Sequence, residues 1–245
     1  MARRLWSGLI MGFGGILGME SAVAELTLTR LGEYRTALFD QGAAEISAYD
    51  PASQRLFISN ASVNTLDILN LSNPSAPQLI TSLDLSAYGG GVNSVAVNRG
   101  RIAVAMENTD RTAPGHVVFF DAQGGFQAAV QVGALPDMVT FSPDGRYLLV
   151  ANEGEPNDAY TVDPEGSVSV ISLPTDLKRL TQAQVKHADF RDFNNALPAA
   201  VRVFGPNATP AQDLEPEYVT VSADSRTAWI TLQENNALAQ LDIRS

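Results

Sequence analysis

Four in-phase copies of a strand–turn–strand–strand pattern predict an all-β fold, a β-propeller of about four blades. The first three copies start at Glu45, Asn93 and Asp137, spaced 48 and then 44 residues apart, and helix-period segments are scarce between them. A blade of three or four strands cannot bury both faces by itself, so each must stack on its neighbours. A sandwich of similar hairpins is the competing arrangement, but nothing in it would hold the copies to one phase.

The elements follow in chain order. A candidate strand at Leu26–Thr29 precedes the repeat. The first copy runs through Glu45–Tyr49, a turn at Asp50-Pro51, Arg55–Asn60 and Thr65–Leu69. The second has Asn93–Val97, a turn at Asn98-Arg99-Gly100, Ile102–Met106 with Glu107, and His116–Phe120. The third is the clearest. Met138–Phe141 leads into Ser142-Pro143-Asp144-Gly145, where Pro presets φ, Asp bonds back to the backbone and Gly takes the positive φ. Tyr147–Ala151 then reads as a strand covered on both faces, and Ser167–Ile171 alternates as a strand with one covered face does. The fourth has Glu217–Val221, a turn at Ser222–Ser225, Thr227–Leu232 and Asn236–Ile243. The longer step from Asp137 to Glu217 implies an insertion at about 174–214, with a short helix over Thr181–Phe190. Four blades are few for a closed ring, so the chain is expected to be the front of a longer propeller, with a complete four-bladed ring as the alternative.

The N-terminus has the pattern of a secretory signal over residues 1–24: Arg3 and Arg4, an apolar or glycine-rich run from Leu5 to Met19, and Ala22-Val23-Ala24. Residues 25–245 would then be the mature propeller, exported to the periplasm, the cell surface or the medium, and without a membrane span. Cleavage would take the net charge from -11 to -12. Such a surface repels nucleic acid and anionic membranes and suits divalent cations. With no cysteine, disulfides, thiolate zinc sites and a cysteine nucleophile are all excluded.

Between the last two strands of the third copy, Glu153, Glu155, Asp158, Asp163 and Glu165 crowd into a loop that contains no Lys or Arg. Hard cations such as Ca²⁺ take six to eight oxygens from groups of this kind, although the spacing is not that of an EF-hand. In a propeller the starts Glu45, Asn93, Asp137 and Glu217 come to one depth near the mouth of the channel. The strand ends Asn60, Glu107, Asn152/Glu153 and Gln233/Glu234 form a second ring there. The candidate calcium ligands are therefore Asp137, Glu153, Glu155, Asp158, Asp163, Glu165, Glu217 and Glu234. The competing reading is that these residues cap turns and tie strands. Catalytic signatures are absent: there is no G-x-S-x-G, H-E-x-x-H or P-loop pattern, and His116 and His187 stand apart.

Five phrases carry a family resemblance: Gly133–Met138, Leu149–Pro156, Asp163–Val168, Leu214–Tyr218 and Gln233–Ala237. From about Glu45 to the last residue the chain resembles the choice-of-anchor I family, exported proteins related to the mesenchyme-specific cell-surface glycoproteins of biomineralisation. The resemblance implies a seven-bladed, WD40-like or YVTN-like propeller held at the surface by a variable C-terminal anchor, and some members carry an alkaline-phosphatase label. The expected function is that of an exported or cell-surface binding or scaffold protein, calcium-assisted, for a protein, glycan or mineral surface. A metal-dependent phosphoester hydrolase using the same carboxylates and a purely structural surface protein are the alternatives.

Overall fold

A computed structural model describes residues 27–244. Two units separate at Arg30 and Leu31. The signal-like stretch lies outside the described residues. Of the first unit only residues 27–30 are described; they form no strand, and Leu28 is largely exposed.

The second unit holds four antiparallel meanders in chain order. The first blade is β1 (Ser47–Asp50), β2 (Arg55–Asn60), β3 (Thr65–Asn70) and β4 (Gln78–Asp84). The second is β5 (Gly91–Asn98), β6 (Arg101–Glu107), β7 (Pro114–Asp121) and β8 (Phe126–Ala134). The third is β9 (Pro136–Phe141), β10 (Tyr147–Asn152), β11 (Ser167–Ser172) and β12 (Val185–Asp189), and the fourth is β13 (Val219–Val221), β14 (Thr227–Leu232) and β15 (Ala237–Asp242). First strands pack on one another, β1 on β5, β5 on β9 and β9 on β13, so they form the inner wall of a propeller.

The core lies between blades, as stacking requires. Ile102, Val104 and Met106 of β6 meet Phe57, Leu66 and Ile68 of the first blade, while the alternate residues Ala103 and Ala105 meet Val139, Leu148 and Val150 of the third. On β10 the same period-2 division sends Leu149 and Ala151 to Val219, Ala228 and Ile230 of the fourth blade. This explains why Tyr147–Ala151 reads as continuously apolar. At the end away from the mouth, each blade clasps the next: Arg55 donates to the carbonyl of Ala122, Arg101 to that of Gly145 at 2.7 Å, and the Asp144 N–H donates to Ser225 Oγ at 3.0 Å.

Three details differ from the sequence reading. Outer strands β4 and β8 complete blades read as three-stranded: β4 exposes Leu79 and Ile80 and shows no alternation, whereas β8 alternates and buries Ala128, Val130 and Val132. Thr181–Phe190 is a single 3₁₀ turn at Gln182–Gln184 followed by β12, so part of the stretch 174–214 is blade rather than excursion. On β11 both faces are covered: Ser169 is fully buried, where Asn152 and His187 satisfy its hydroxyl. Among the described residues no helix is long and apolar enough to cross a membrane.

Candidate functional site

Antiparallel pairing puts the starts of β1, β5, β9 and β13 beside the ends of β2, β6, β10 and β14. Asn93 donates to the carbonyl of Pro136 at 3.1 Å, fixing two first strands at one level. This end is the acidic mouth.

Its scaffold is local hydrogen bonding. Asn152, fully buried at the end of β10, accepts from the Gly133 N–H at 3.2 Å and donates to Ser169 Oγ at 2.9 Å. Asn60 holds the equivalent place in the first blade and donates to the buried carboxylate of Asp67. These two ring residues are strand ties, in line with the competing reading. Asn152→Ala removes both partners at once and leaves the half-buried Gly133 N–H without its acceptor, so we expect a loss of about 3 kcal/mol, read from the denaturant midpoint.

Past β10 the chain turns at Gly154, whose φ of +74° brings it against the backbone of Glu165. Asn157 closes a small loop by accepting from Thr161 N–H at 2.9 Å. The far end of the loop is pinned by Gly166 N–H to the Ala211 carbonyl at 3.0 Å and by Gln212 Nε2 to the Asp163 carbonyl at 2.9 Å. Residues 210–213 form one helical turn whose Asp213 carboxylate accepts from Phe204, Gly205 and Asn235. Asp213 is therefore structural.

The candidate ligands divide into groups. Asp137, Glu153 and Glu217 share the mouth with Glu155. Burial raises the carboxyl of Asp137, with Glu155, Glu107 and Glu45 adding to it. Burial and then Asp137, Glu155, Glu217 and Glu215 push Glu153 up to about 8. Glu217 is raised by burial and then by Glu234, Asp137 and Glu155. Glu155 instead meets Arg111 at 3.0 Å, which also approaches Glu107 at 3.3 Å. Glu165 pairs with Arg191 at 2.6 Å. Asp158 is exposed, Asp163 is raised by burial and then by Asp213, and Glu234 has one buried carboxylate oxygen without a hydrogen-bond partner. The loop lacks basic residues of its own, yet Arg111 from the second blade and Arg191 reach it across the fold.

Glu215 is absent from the sequence-derived set. Burial and then Glu155, Glu234, Asp213 and Asp163 push it up to about 7. Its only sequence signal is its place two residues before Glu217. Among the described residues, no three carboxylate or imidazole side chains converge as metal ligands would. His116 lies on β7, and His187 on β12 has its pKa lowered by burial.

A family model described as "Choice-of-anchor I domain" matches residues 45–245. No curated protein matches the chain. Among solved structures, a putative 6-phosphogluconolactonase from Bacteroides uniformis is 13% identical, with a TM-score of 0.53 over 81% of this chain and 50% of that one. A protein from Lactobacillus plantarum is 15% identical, with a TM-score of 0.53 over 81% of this chain and 56% of that one. A chain of a nidogen/laminin complex is 13% identical, with a TM-score of 0.50 over 83% of this chain and 61% of that one. The chain thus spans about half the length of the first two and shares their fold.

Proposed function

The chain belongs to the choice-of-anchor I family, and from that premise we propose that it is an exported or cell-surface β-propeller whose acidic mouth is a cation-assisted binding surface, calcium being the first cation to test. One observation carries the reading. Asp137, Glu153 and Glu217 repel one another at the mouth, and among the described residues no Lys or Arg pairs with any of the three. Half-buried carboxyls that repel one another when ionised are held at a cost that a bound cation would relieve. Carboxylates 137 and 217 come from first strands or their approach and 153 from a second-strand end, so a cation here would also tie two blades together. The signal-like N-terminus and the absence of cysteine support export without disulfides.

The test is thermal unfolding with calcium and with a chelator. A ligand that binds only the folded state stabilises by about 2.7 kcal/mol at a hundredfold excess over its dissociation constant. We expect a higher midpoint in calcium that disappears in Glu153→Gln and Glu217→Gln. Equal midpoints in calcium and chelator would return these carboxylates to a purely structural role. Hydrolysis of a phosphoester abolished by the same substitutions would replace the binding reading with the hydrolase.

A further inference from the structure

A second concavity adjoins the mouth. The loop 153–166 and the segment 204–215 border a basin of about 470 Å³, with Arg111 on its rim. That is the size of small-ligand sites. Tyr160 and Phe204 line it yet stand 58% and 60% exposed, although aromatic rings gain most from being covered. Asp163 also lines it.

The charge around these rings is mostly negative, with Arg111 and Arg202 the basic groups beside them. Glu155, Asp158 and Glu215 join Asp163 on the walls, and Arg111 is already shared between Glu155 and Glu107. The negative charge is spread over several hundred Å³ rather than gathered at one point. It matches an elongated cation whose flanks can lie on rings. Phe204 already shows this preference, with the Arg202 guanidinium 5.9 Å from its ring centre.

We propose that the basin binds an alkylamine or guanidinium group, carried either by a small polyamine or by a basic side chain of a partner polypeptide. The aromatic rings take the apolar flank and the cation's face, and the carboxylates of Asp158 and Asp163 take its N–H donors. Asp137, Glu153 and Glu217 do not line the basin, so the inference stands apart from the calcium site.

The experiment is calorimetric titration of the chain with spermidine, with a short Lys/Arg peptide, with a Glu peptide of equal length and with a neutral oligosaccharide. The cationic probes should bind, and more weakly as salt rises. Phe204→Ala and Asp158→Asn should each weaken binding about tenfold at an unchanged melting temperature, and Phe204→Tyr should retain it. Binding of spermidine alone assigns the small-molecule source, and a preference for the peptide assigns the polypeptide. Glu153→Gln should abolish the calcium response while leaving the spermidine response, so the two sites fail separately. No binding of either cationic probe, binding indifferent to both substitutions, or a neutral oligosaccharide that binds and is lost in Phe204→Ala would each overturn the proposal.

Discussion

Gly166→Ala is expected to destabilise the protein by about 3 kcal/mol, at the upper end of what overpacking costs. A Cβ on Gly166 would collide with the Leu214 carbonyl oxygen, would lie 2.8 Å from Pro216 Cδ and would lie 3.0 Å from the Glu153 carbonyl oxygen. None of these atoms is the end of a flexible side chain, so backbone has to move. The backbone in question joins the acidic loop to residues 211–216, which means that mouth and basin move together. The melting temperature should fall by about 6–12 °C for a chain of this size, and both cation responses should weaken in what remains folded. Gly91→Ala is the control, because the atoms nearest its Cβ all belong to the Glu107 side chain, which can swing away. Equal melting temperatures for Gly166→Ala and the unsubstituted chain would mean that the loop and residues 211–216 do not pack as described.

The inner three strands of each blade are legible in the sequence because they obey two rules at once. Their turns use residues with a conformational reason to be there: Gly145 has a φ of +72°, and the Arg99-Gly100 pair has φ values of 52° and 73°. Their strands alternate or run continuously apolar according to whether one face or two are covered, as β10 shows against both the second and the fourth blade. Outer strand β4 does not alternate, with Gln78, Leu79 and Ile80 all exposed, whereas β8 does, burying Val130 and Val132 and exposing Gln131, so β8 is legible by the same rule. The site is legible only in part for a related reason. Local density of carboxylates identifies the loop after β10, but neutralisation depends on Arg111 and Arg191, 44 and 26 residues from their partners. Glu215 belongs to the mouth's electrostatics only because the segment before β13 folds back beside Glu155.

The same electrostatics make the protein less stable in mild base than in mild acid. Glu153 titrates near 8 and Glu215 near 7 in the fold, against an ordinary value of 4.5 for both. Between those limits the native state holds protons that the unfolded chain has released, so stability falls as pH rises through the window. Below about pH 4.5 the contribution is fully present, and above about pH 8 it is gone. Each tenfold change in proton affinity corresponds to about 1.4 kcal/mol, but both groups are partly exposed, and screening leaves a combined effect on the order of 2 kcal/mol. The melting temperature should therefore drop by about 4–8 °C from pH 5 to pH 8. Glu153→Gln, neutral at every pH, should melt above the unsubstituted chain at pH 8 and flatten the profile. Calcium adds a sign that separates two causes of the slope. If the cation replaces the missing counter-charge, it must displace protons at pH 6–7, so its binding heat will change with the ionisation heat of the buffer and its stabilising effect will grow with pH. A profile that rises from pH 5 to pH 8, as for carboxylates held by positive partners, would mean that Glu153 is paired with a positive charge in solution, and the case for the mouth as a cation site would fall with it.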